Sequence, residues 1–381
     1  MFDSFDEETG ELSRLEYYAD GTYKRFFTNA EVVGKFSTGP VEHQLLFGTE
    51  YRHNAENPRF QFSNPYPSIN VFNPIYSGLR YEIAPEFFRV DNVDTIGVYL
   101  QDQINLLSNL KVLAGVRYDY VDQFRTTQDL GEPREEFEQR DSNFSPRFGV
   151  VYQPIQPLSL YASYTTSFSP SFAASLNEDD STFDPETGRQ VEVGIKADIL
   201  DQLSLTLAAF DIRKQNVSTP DPENPLFSVQ TGEVASRGAE LNLGGEILPG
   251  WNIAASYTYL DAFVSQDNTD IVGNDLANAP DNQISLWTSY EIQQGNLQGL
   301  GLGLGLFYVG DRPGDLDNTF ELPSYFRTDA ALFYKRNNWR AQLNLENLFN
   351  VEYFSSANYG SRLGINPGAP LRVLGKLSVE F

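Results

Sequence analysis

The sequence predicts an all-β fold, an antiparallel transmembrane β-barrel, on three observations. Apolar and polar residues alternate with a period of two through most of the 381 residues, and helical periodicity is nearly absent. The predicted strands run to roughly 10–16 residues, which exceeds a common strand and lets a tilted strand cross a bilayer. Short and long connections alternate along the chain, as they do in outer-membrane barrels.

The alternation is clear near the C-terminus. Val373, Leu377 and Val379 fall on one face of the last predicted strand, while Lys376 and Glu380 fall on the other. Successive side chains of a strand point to opposite faces, so each such segment has one apolar and one polar side. A β-sandwich would give the same alternation, but strand length and the pattern of connections favour the barrel.

Alternation and turn residues together predict about fifteen strands. They cover approximately 23–37, 42–54, 93–106, 111–127, 143–153, 158–169, 188–199, 203–215, 233–247, 251–264, 281–293, 300–312, 325–336, 339–353 and 370–381. Single-chain bacterial barrels usually have an even number of strands. Either one strand is missed, with Glu11–Tyr18 as a partial candidate, or the barrel is incomplete. Because the last long loop precedes the last strand, the chain is predicted to end on the periplasmic side.

Composition excludes several classes of function. The chain carries 27 Lys and Arg against 52 Asp and Glu, a formal net charge of −25, which disfavours nucleic acid as a partner. It has no cysteine, so disulfides and cysteine-ligated metal sites are excluded. The two histidines, His43 and His53, lie too far apart on one strand for a shared metal site, and they leave little room for a Ser–His hydrolase. We therefore expect no enzyme activity, no metal site and no cofactor.

Several short motifs occur in a fixed order along nearly the whole chain. They are TIGVYLQDQ at 95–103, GVRYD at 115–119, FSPRFG at 144–149, LYASYTTSFSP at 160–170, GRQVEVGIK at 188–196, SRGAEL at 236–241 and NLENLFNVEY at 344–353, with a terminal Phe381. This ordered set resembles the barrel portion of TonB-dependent outer-membrane ferric-siderophore receptors. The resemblance is greatest to the ferrichrome/hydroxamate-type branch.

The resemblance implies a 22-stranded barrel that is filled by an N-terminal plug domain. A short energy-coupling box near the N-terminus would be pulled by the TonB energy transducer. Residues 1–381 would then be the C-terminal part of the barrel, with about 15–16 strands, and the plug, the box and the early strands would be missing. The first ten residues have neither a basic start nor an apolar run, so a signal peptide is missing too. The sequence leaves open whether the chain is a fragment or a truncated gene product.

The same resemblance implies a place and partners. The expected location is the outer membrane of a Gram-negative cell. The expected partners are outer-membrane lipid, the barrel assembly machinery and a ferric siderophore, besides the TonB transducer. The strand that ends in Phe381 is the expected assembly signal.

The long connection Ala55–Asn92 carries the best candidates for a ligand site. Aromatic faces and hydroxyls suit a bulky iron chelate that is bound whole. We predict contacts from Tyr66, Phe72, Tyr76 and Tyr81, with Tyr359 of the last long loop as a further one. The alternative is that these rings hold the loop together.

Charge narrows the ligand and the function. The long loops are acidic, for example over Asp267–Asp275, which disfavours a strongly anionic catecholate chelate and favours a hydroxamate. A divalent cation at Asp179, Asp180 and Asp184 is a minority alternative. The predicted function is energy-coupled uptake of a ferric siderophore, and the alternative is a passive porin-like channel.

One strand has an unusual pattern. In Gly301–Leu306 every second residue is glycine, which places Leu302, Leu304 and Leu306 on the lipid face. The glycines would face inward, where they would leave space for a plug. A strand that merely tolerates small residues is an equal alternative.

Overall fold

The computed structural model describes residues 2–6, 8–76, 84–129, 133–171, 182–220, 228–358 and 362–380. Sixteen strands of these segments form one antiparallel sheet, in which each strand pairs with its neighbours along the chain. The sheet strands are β1 Phe2–Phe5, β2 Glu11–Thr38, β3 Val41–Asn70, β4 Ala84–Leu107, β5 Leu110–Asp129, β6 Glu135–Ile155, β7 Leu158–Ser169, β8 Glu186–Leu200, β9 Leu203–Pro220, β10 Ser228–Leu248, β11 Trp251–Gln266, β12 Asn282–Glu291, β13 Leu300–Val309, β16 Tyr325–Arg336, β17 Trp339–Glu346 and β20 Arg372–Val379. The antiparallel all-β architecture predicted from the sequence is confirmed.

Two small hairpins lie in the connections between the later strands. They are β14 Arg312–Pro313 with β15 Glu321–Leu322, and β18 Phe354–Ala357 with β19 Ile365–Pro367. A single 3₁₀ turn at Arg362–Gly364 precedes β19. No helix among the described residues is long and apolar enough to cross a membrane.

All fifteen predicted strands correspond to strands of the sheet, but the sixteenth is not where the sequence placed it. Residues 11–18 are not a separate strand, since they form the first part of β2. The additional strand is β1, whose Phe2 and Phe5 pair with Arg14 and Leu12 of β2. The four residues of β1 show no alternation of apolar and polar side chains, so the sequence pattern did not predict this strand.

The connections confirm the predicted asymmetry between the two ends of the sheet. Six of the seven connections at one end consist of two residues, as between Thr38 and Val41, and the seventh covers 292–299. Residues with positive φ make these turns possible, among them Gly39 at 63° and Asn337 at 52°. We call this end the short-turn end and the opposite end the long-loop end.

The loop predicted over Ala55–Asn92 is shorter in the structure than the sequence predicted. The β2–β3 ladder continues as far as Asn70, and β4 already begins at Ala84. The two strands of this hairpin have 28 and 30 residues, whereas a tilted strand needs about ten to cross a bilayer. Beyond the membrane neither face of the hairpin has to be apolar, so the hydrogen-bonded ladder continues without the alternation that reveals it in a sequence.

The sheet is a single layer with two chemically different faces. The chain exposes 23759 Å², whereas a compact monomer of its mass would expose about 15,000 Å². One face, here called the outer face, carries exposed apolar residues such as Leu100, Val193 and Leu304. The other, the inner face, carries polar and charged residues. Such a layer is stable only where the outer face is removed from water, as in a bilayer.

Aromatic rings mark a level on the outer face near the short-turn end. Six of them lie there with at least a third of their surface exposed: Phe36, Tyr152, Trp251, Tyr290, Tyr334 and Trp339. Tyrosine and tryptophan prefer the interface between lipid and water, where the ring is in contact with hydrocarbon and the polar atom with water. This girdle therefore indicates where the membrane ends.

Candidate functional site

The inner face is lined by aromatic rings that lie flat over glycines of the neighbouring strands. A Cβ atom on Gly303 would lie 2.7 Å from Cζ2 of Trp287, and one on Gly305 would lie 2.8 Å from Cε3 of the same ring. Tyr99 covers Gly48 in the same way. The glycines of β13 do face inward as predicted, but the space above them is filled by rings of this chain.

An ionic network connects these rings to the wall. The Tyr99 hydroxyl donates a hydrogen bond of 2.5 Å to Glu31. The Arg117 guanidinium lies 5.5 Å from the Tyr99 ring centroid, and its nitrogens are 3.3 Å from Glu50 and 2.7 Å from Asp119. Arg117 therefore neutralises part of the charge of Glu50 and Asp119, while Glu31 accepts a hydrogen bond from the neutral Tyr99 hydroxyl.

Three connections at the long-loop end are joined into one loop cluster, made of residues 267–281, 310–324 and 347–358. Asn278 joins all three: its backbone N–H donates to the Pro313 carbonyl, and its side chain exchanges two hydrogen bonds with the Ala357 backbone, at 3.0 and 2.7 Å. Asn278 has a φ of 63°, which directs its amide toward both neighbours. The cluster is therefore an ordered part of the structure.

A cation–aromatic stack lies at the base of the loop cluster. The Arg312 guanidinium is 3% exposed, donates to the carbonyls of Phe354 and Ser355, and lies 5.7 Å from the Tyr325 ring centroid. The Tyr325 ring lies 4.3 Å from that of Tyr353. Burial lowers the pKa of Arg312. These groups stabilise the wall at the mouth of the inner face.

Below that stack, one cation of the mouth remains partly accessible. The Arg327 side chain is 29% exposed, lies 4.7 Å from the Phe307 ring centroid and is 3.1 Å from Asp329. Its Nη1 approaches the Tyr353 hydroxyl at 3.5 Å. The surface here therefore consists of two aromatic rings and a guanidinium that Asp329 neutralises.

The structure separates the predicted ligand contacts from this mouth. Phe72 and Tyr76 follow β3 in the β3–β4 connection, at the open end of the long β2–β3 ladder, where they are 76% and 77% exposed. The Asn70 side chain orders the start of this connection by accepting hydrogen bonds from the backbone N–H groups of Phe72 and Asn73. Both rings are therefore exposed, but beyond the end of the ladder.

The remaining predicted residues are only partly described. The backbone of Tyr66 pairs with Arg14 in the ladder between β2 and β3. Tyr81, Tyr359 and Phe381 lie outside the described residues. Their assigned roles stay predictions, as does that of Tyr66.

Several arginines near the long-loop end lie close to a carboxylate or to an aromatic ring. Arg140 is 3.4 Å from Asp122, Arg134 is 3.8 Å from Glu136, and Arg362 lies 5.4 Å from the Phe320 ring centroid. In the described part of the chain no group of three or more acidic or histidine side chains could hold a metal ion. Asp179 and Asp180 of the alternative cation site are outside that part.

The two histidines each pair with an aspartate on the outer face. His43 Nδ1 is 2.6 Å from Asp102, and His53 Nδ1 is 2.9 Å from Asp94. Thr38 lies 2.5 Å from the other ring nitrogen of His43. The two histidines thus contact different aspartates, ten residues apart along β3.

A one-layered sheet with an apolar outer face, a polar inner face and loops at one end defines the class: a membrane-embedded β-barrel wall. The family described as TonB dependent receptor-like, beta-barrel matches residues 2–348. The chain belongs to this family, so the resemblance inferred from the sequence motifs is confirmed.

Similar proteins include several receptors. The metal-pseudopaline receptor of Pseudomonas aeruginosa (strain UCBPP-PA14) is 33% identical over 383 residues, which cover 98% of this chain and 53% of that protein. The ferrichrome outer membrane transporter and phage receptor of Escherichia coli K12 is 32% identical, covering 91% and 47%. The crystal structure of the siderophore receptor PiuA from Acinetobacter baumannii superimposes with a TM-score of 0.85 at 27% identity, covering 97% and 57%. The chain spans about half the length of these relatives.

Sequence reasoning missed the loop cluster and the cation–aromatic stack. Arg312 was only one of several scattered basic residues, and Tyr325 and Tyr353 were assigned to strands. Asn278 and Ala357 are 79 residues apart, so no local pattern could have placed them together. Only the repeated asparagines of these loops gave a hint, because asparagine adopts positive φ readily.

Proposed function

We propose that this chain is the wall of an outer-membrane receptor that takes up a ferric siderophore, with energy supplied through TonB. Membership of the TonB-dependent receptor barrel family is the observation that supports this most. The barrel would perform no chemistry on its cargo. Loops at the long-loop end would capture the chelate, and the inner face would line its path.

We further propose that residues 1–381 form the C-terminal part of a longer receptor. A plug domain, an energy-coupling box, a signal peptide and the early strands would belong to the rest of that protein. The short-turn end would face the periplasm and the long-loop end the exterior, in the outer membrane of a Gram-negative cell. Barrel assembly machinery would insert the chain through the signal at Phe381.

Among siderophores, a hydroxamate-type chelate is our proposal. The arginines at the long-loop end that the structure describes mostly face carboxylates, rings or carbonyls, so they offer little to a highly anionic ligand. Contacts would come from Phe72 and Tyr76 in the β3–β4 connection, together with Tyr66, Tyr81 and Tyr359. Packing against the organic shell of the chelate would supply most of the affinity.

The test is uptake of radioactive iron as a ferric hydroxamate by cells that carry the complete receptor, compared with cells that lack it. Uptake should require the receptor and stop when the proton gradient is dissipated. Uptake that continues without energy would instead support the passive channel. Equal uptake of a ferric catecholate would contradict the assignment to hydroxamates.

Alanine at both Phe72 and Tyr76 tests the contacts. Loss of an anchoring ring should cost more than about 1 kcal/mol of binding, which is a factor of about five in the dissociation constant. The matched control is alanine at Phe36, which is 47% exposed but lies on the outer face at the short-turn end, away from the proposed ligand contacts. Unchanged binding in the double variant would place the site elsewhere.

A further inference from the structure

Three cations converge on the inner face at the short-turn end of the last strands. Lys335 of β16 pairs directly with Arg340 of β17 across the two-residue turn at Asn337–Asn338. Lys376 of β20 pairs with Gln342, the next inner-face residue of β17 after Arg340. The alternation of each strand therefore places all three on one face, within neighbouring positions.

These cations line one pocket. Its volume is about 290 Å³, and its lining adds Gln342, Ser378 and the turn asparagines to the three basic side chains. Arg340 is held in place, since its guanidinium lies 5.1 Å from the Phe333 ring centroid. Lys335 and Lys376 are exposed, so the pocket is open to solvent.

Within the described residues, the carboxylates around this pocket do not balance its positive charge. Among the described residues none of the three cations forms an ion pair with a carboxylate. Glu380 is the one acidic residue in the lining, against three basic ones. Like charges placed directly opposite each other in a sheet are destabilising. A cluster of three basic residues is unusual in a chain whose net charge is −25. A bound anion would relieve the repulsion among them.

We propose that this pocket binds a phosphate group. Lys335, Arg340 and Lys376 together match a doubly charged group with several acceptor oxygens, and Gln342 and Ser378 add uncharged donors. A free phosphate compound and a lipid with a phosphomonoester headgroup both carry this chemistry. The site lies at the opposite end from the siderophore mouth and goes beyond the proposed uptake function.

The test is calorimetric titration of the complete receptor in detergent with inorganic phosphate at constant ionic strength. Binding should be saturable, and Lys335→Gln and Lys376→Gln should each weaken it at least about tenfold, because each removes a charge-assisted hydrogen bond. Lys376→Arg should retain binding. The matched control is Lys214→Gln, which changes a lysine 2.9 Å from Glu186 on β9 and should leave binding unchanged.

A second arm separates the two sources of phosphate. Phosphatidic acid vesicles that bind in a Lys376-dependent manner, where inorganic phosphate alone does not bind, would assign the site to a lipid headgroup. The proposal is overturned if neither probe binds saturably, or if the two glutamine variants bind as tightly as the parent. Binding of an oligoglutamate peptide alone would also overturn it, in favour of an acidic polypeptide. No iron chelate is used, so failure here is independent of the uptake proposal.

Discussion

An arginine at Leu304 should be strongly destabilising, because this side chain is at the centre of the membrane. Strand β13 has ten residues, which at about 3.3 Å each span about 33 Å, or about 23 Å along the membrane normal at a tilt of 45°. Leu304 is the fifth of them, lies on the outer face and is 41% exposed. Leu304→Arg should therefore cost about 2–4 kcal/mol of unfolding free energy.

The measurement is reversible unfolding in urea of the chain inserted into lipid vesicles, followed by tryptophan fluorescence. Tyr308→Arg is the matched control, since Tyr308 is on the same face of the same strand but near its end. There the cost should fall to about 0–1 kcal/mol. Equal costs at the two positions, or none at either, would mean that the outer face is not in contact with lipid.

Three further predictions test other parts of the structure. Deleting Phe381 from the complete receptor should reduce its insertion into the outer membrane, as measured by fractionation, and unchanged insertion would contradict the assembly signal. Gly48→Val should displace the Tyr99 ring and destabilise the sheet by about 1–3 kcal/mol in the same urea titration, whereas Gly34→Val, with open space above it, should not. Partial desolvation and three neighbouring aspartates raise the pKa of the exposed Asp281 from its usual 3.8, so the stability of the fold falls as pH rises through the pKa of the folded state. Asp281→Asn should therefore raise the melting temperature slightly near pH 7, with a gain that disappears in acid.

The membrane-spanning part of the fold could be predicted because the bilayer imposes a pattern on the sequence. In β13 each glycine faces inward and each leucine outward, and the register with β12 and β16 follows that assignment. A shift of one residue would reverse every side chain, so alternation fixes the register wherever one face contacts lipid. The same reasoning explains why the hairpin beyond Asn54 was taken for a loop: no lipid constrains it.

The candidate site could be predicted only in part. The aromatic content of the β3–β4 connection is visible in the sequence, and the structure leaves Phe72 and Tyr76 exposed there. The contacts of Arg312 with Phe354 and Ser355 join residues more than 40 positions apart. Such contacts depend on how three loops pack, which no periodicity encodes. The paired charges of the inner face were likewise invisible, since pairing requires the register between strands.

The glycines of the inner face have a structural reason, which is the space that they leave for aromatic rings of neighbouring strands. A large side chain on a narrow wall would project into the passage, but a ring above a glycine can lie along the wall instead. Trp287 over Gly303 and Tyr99 over Gly48 both adopt this arrangement, on strands far apart in the sheet. Each ring gains contact area from the neighbouring backbone, which compensates for the weak packing of glycine in a strand. The inner face thus combines aromatic stabilisation with free width, and the proposed passage of a bulky chelate would require both.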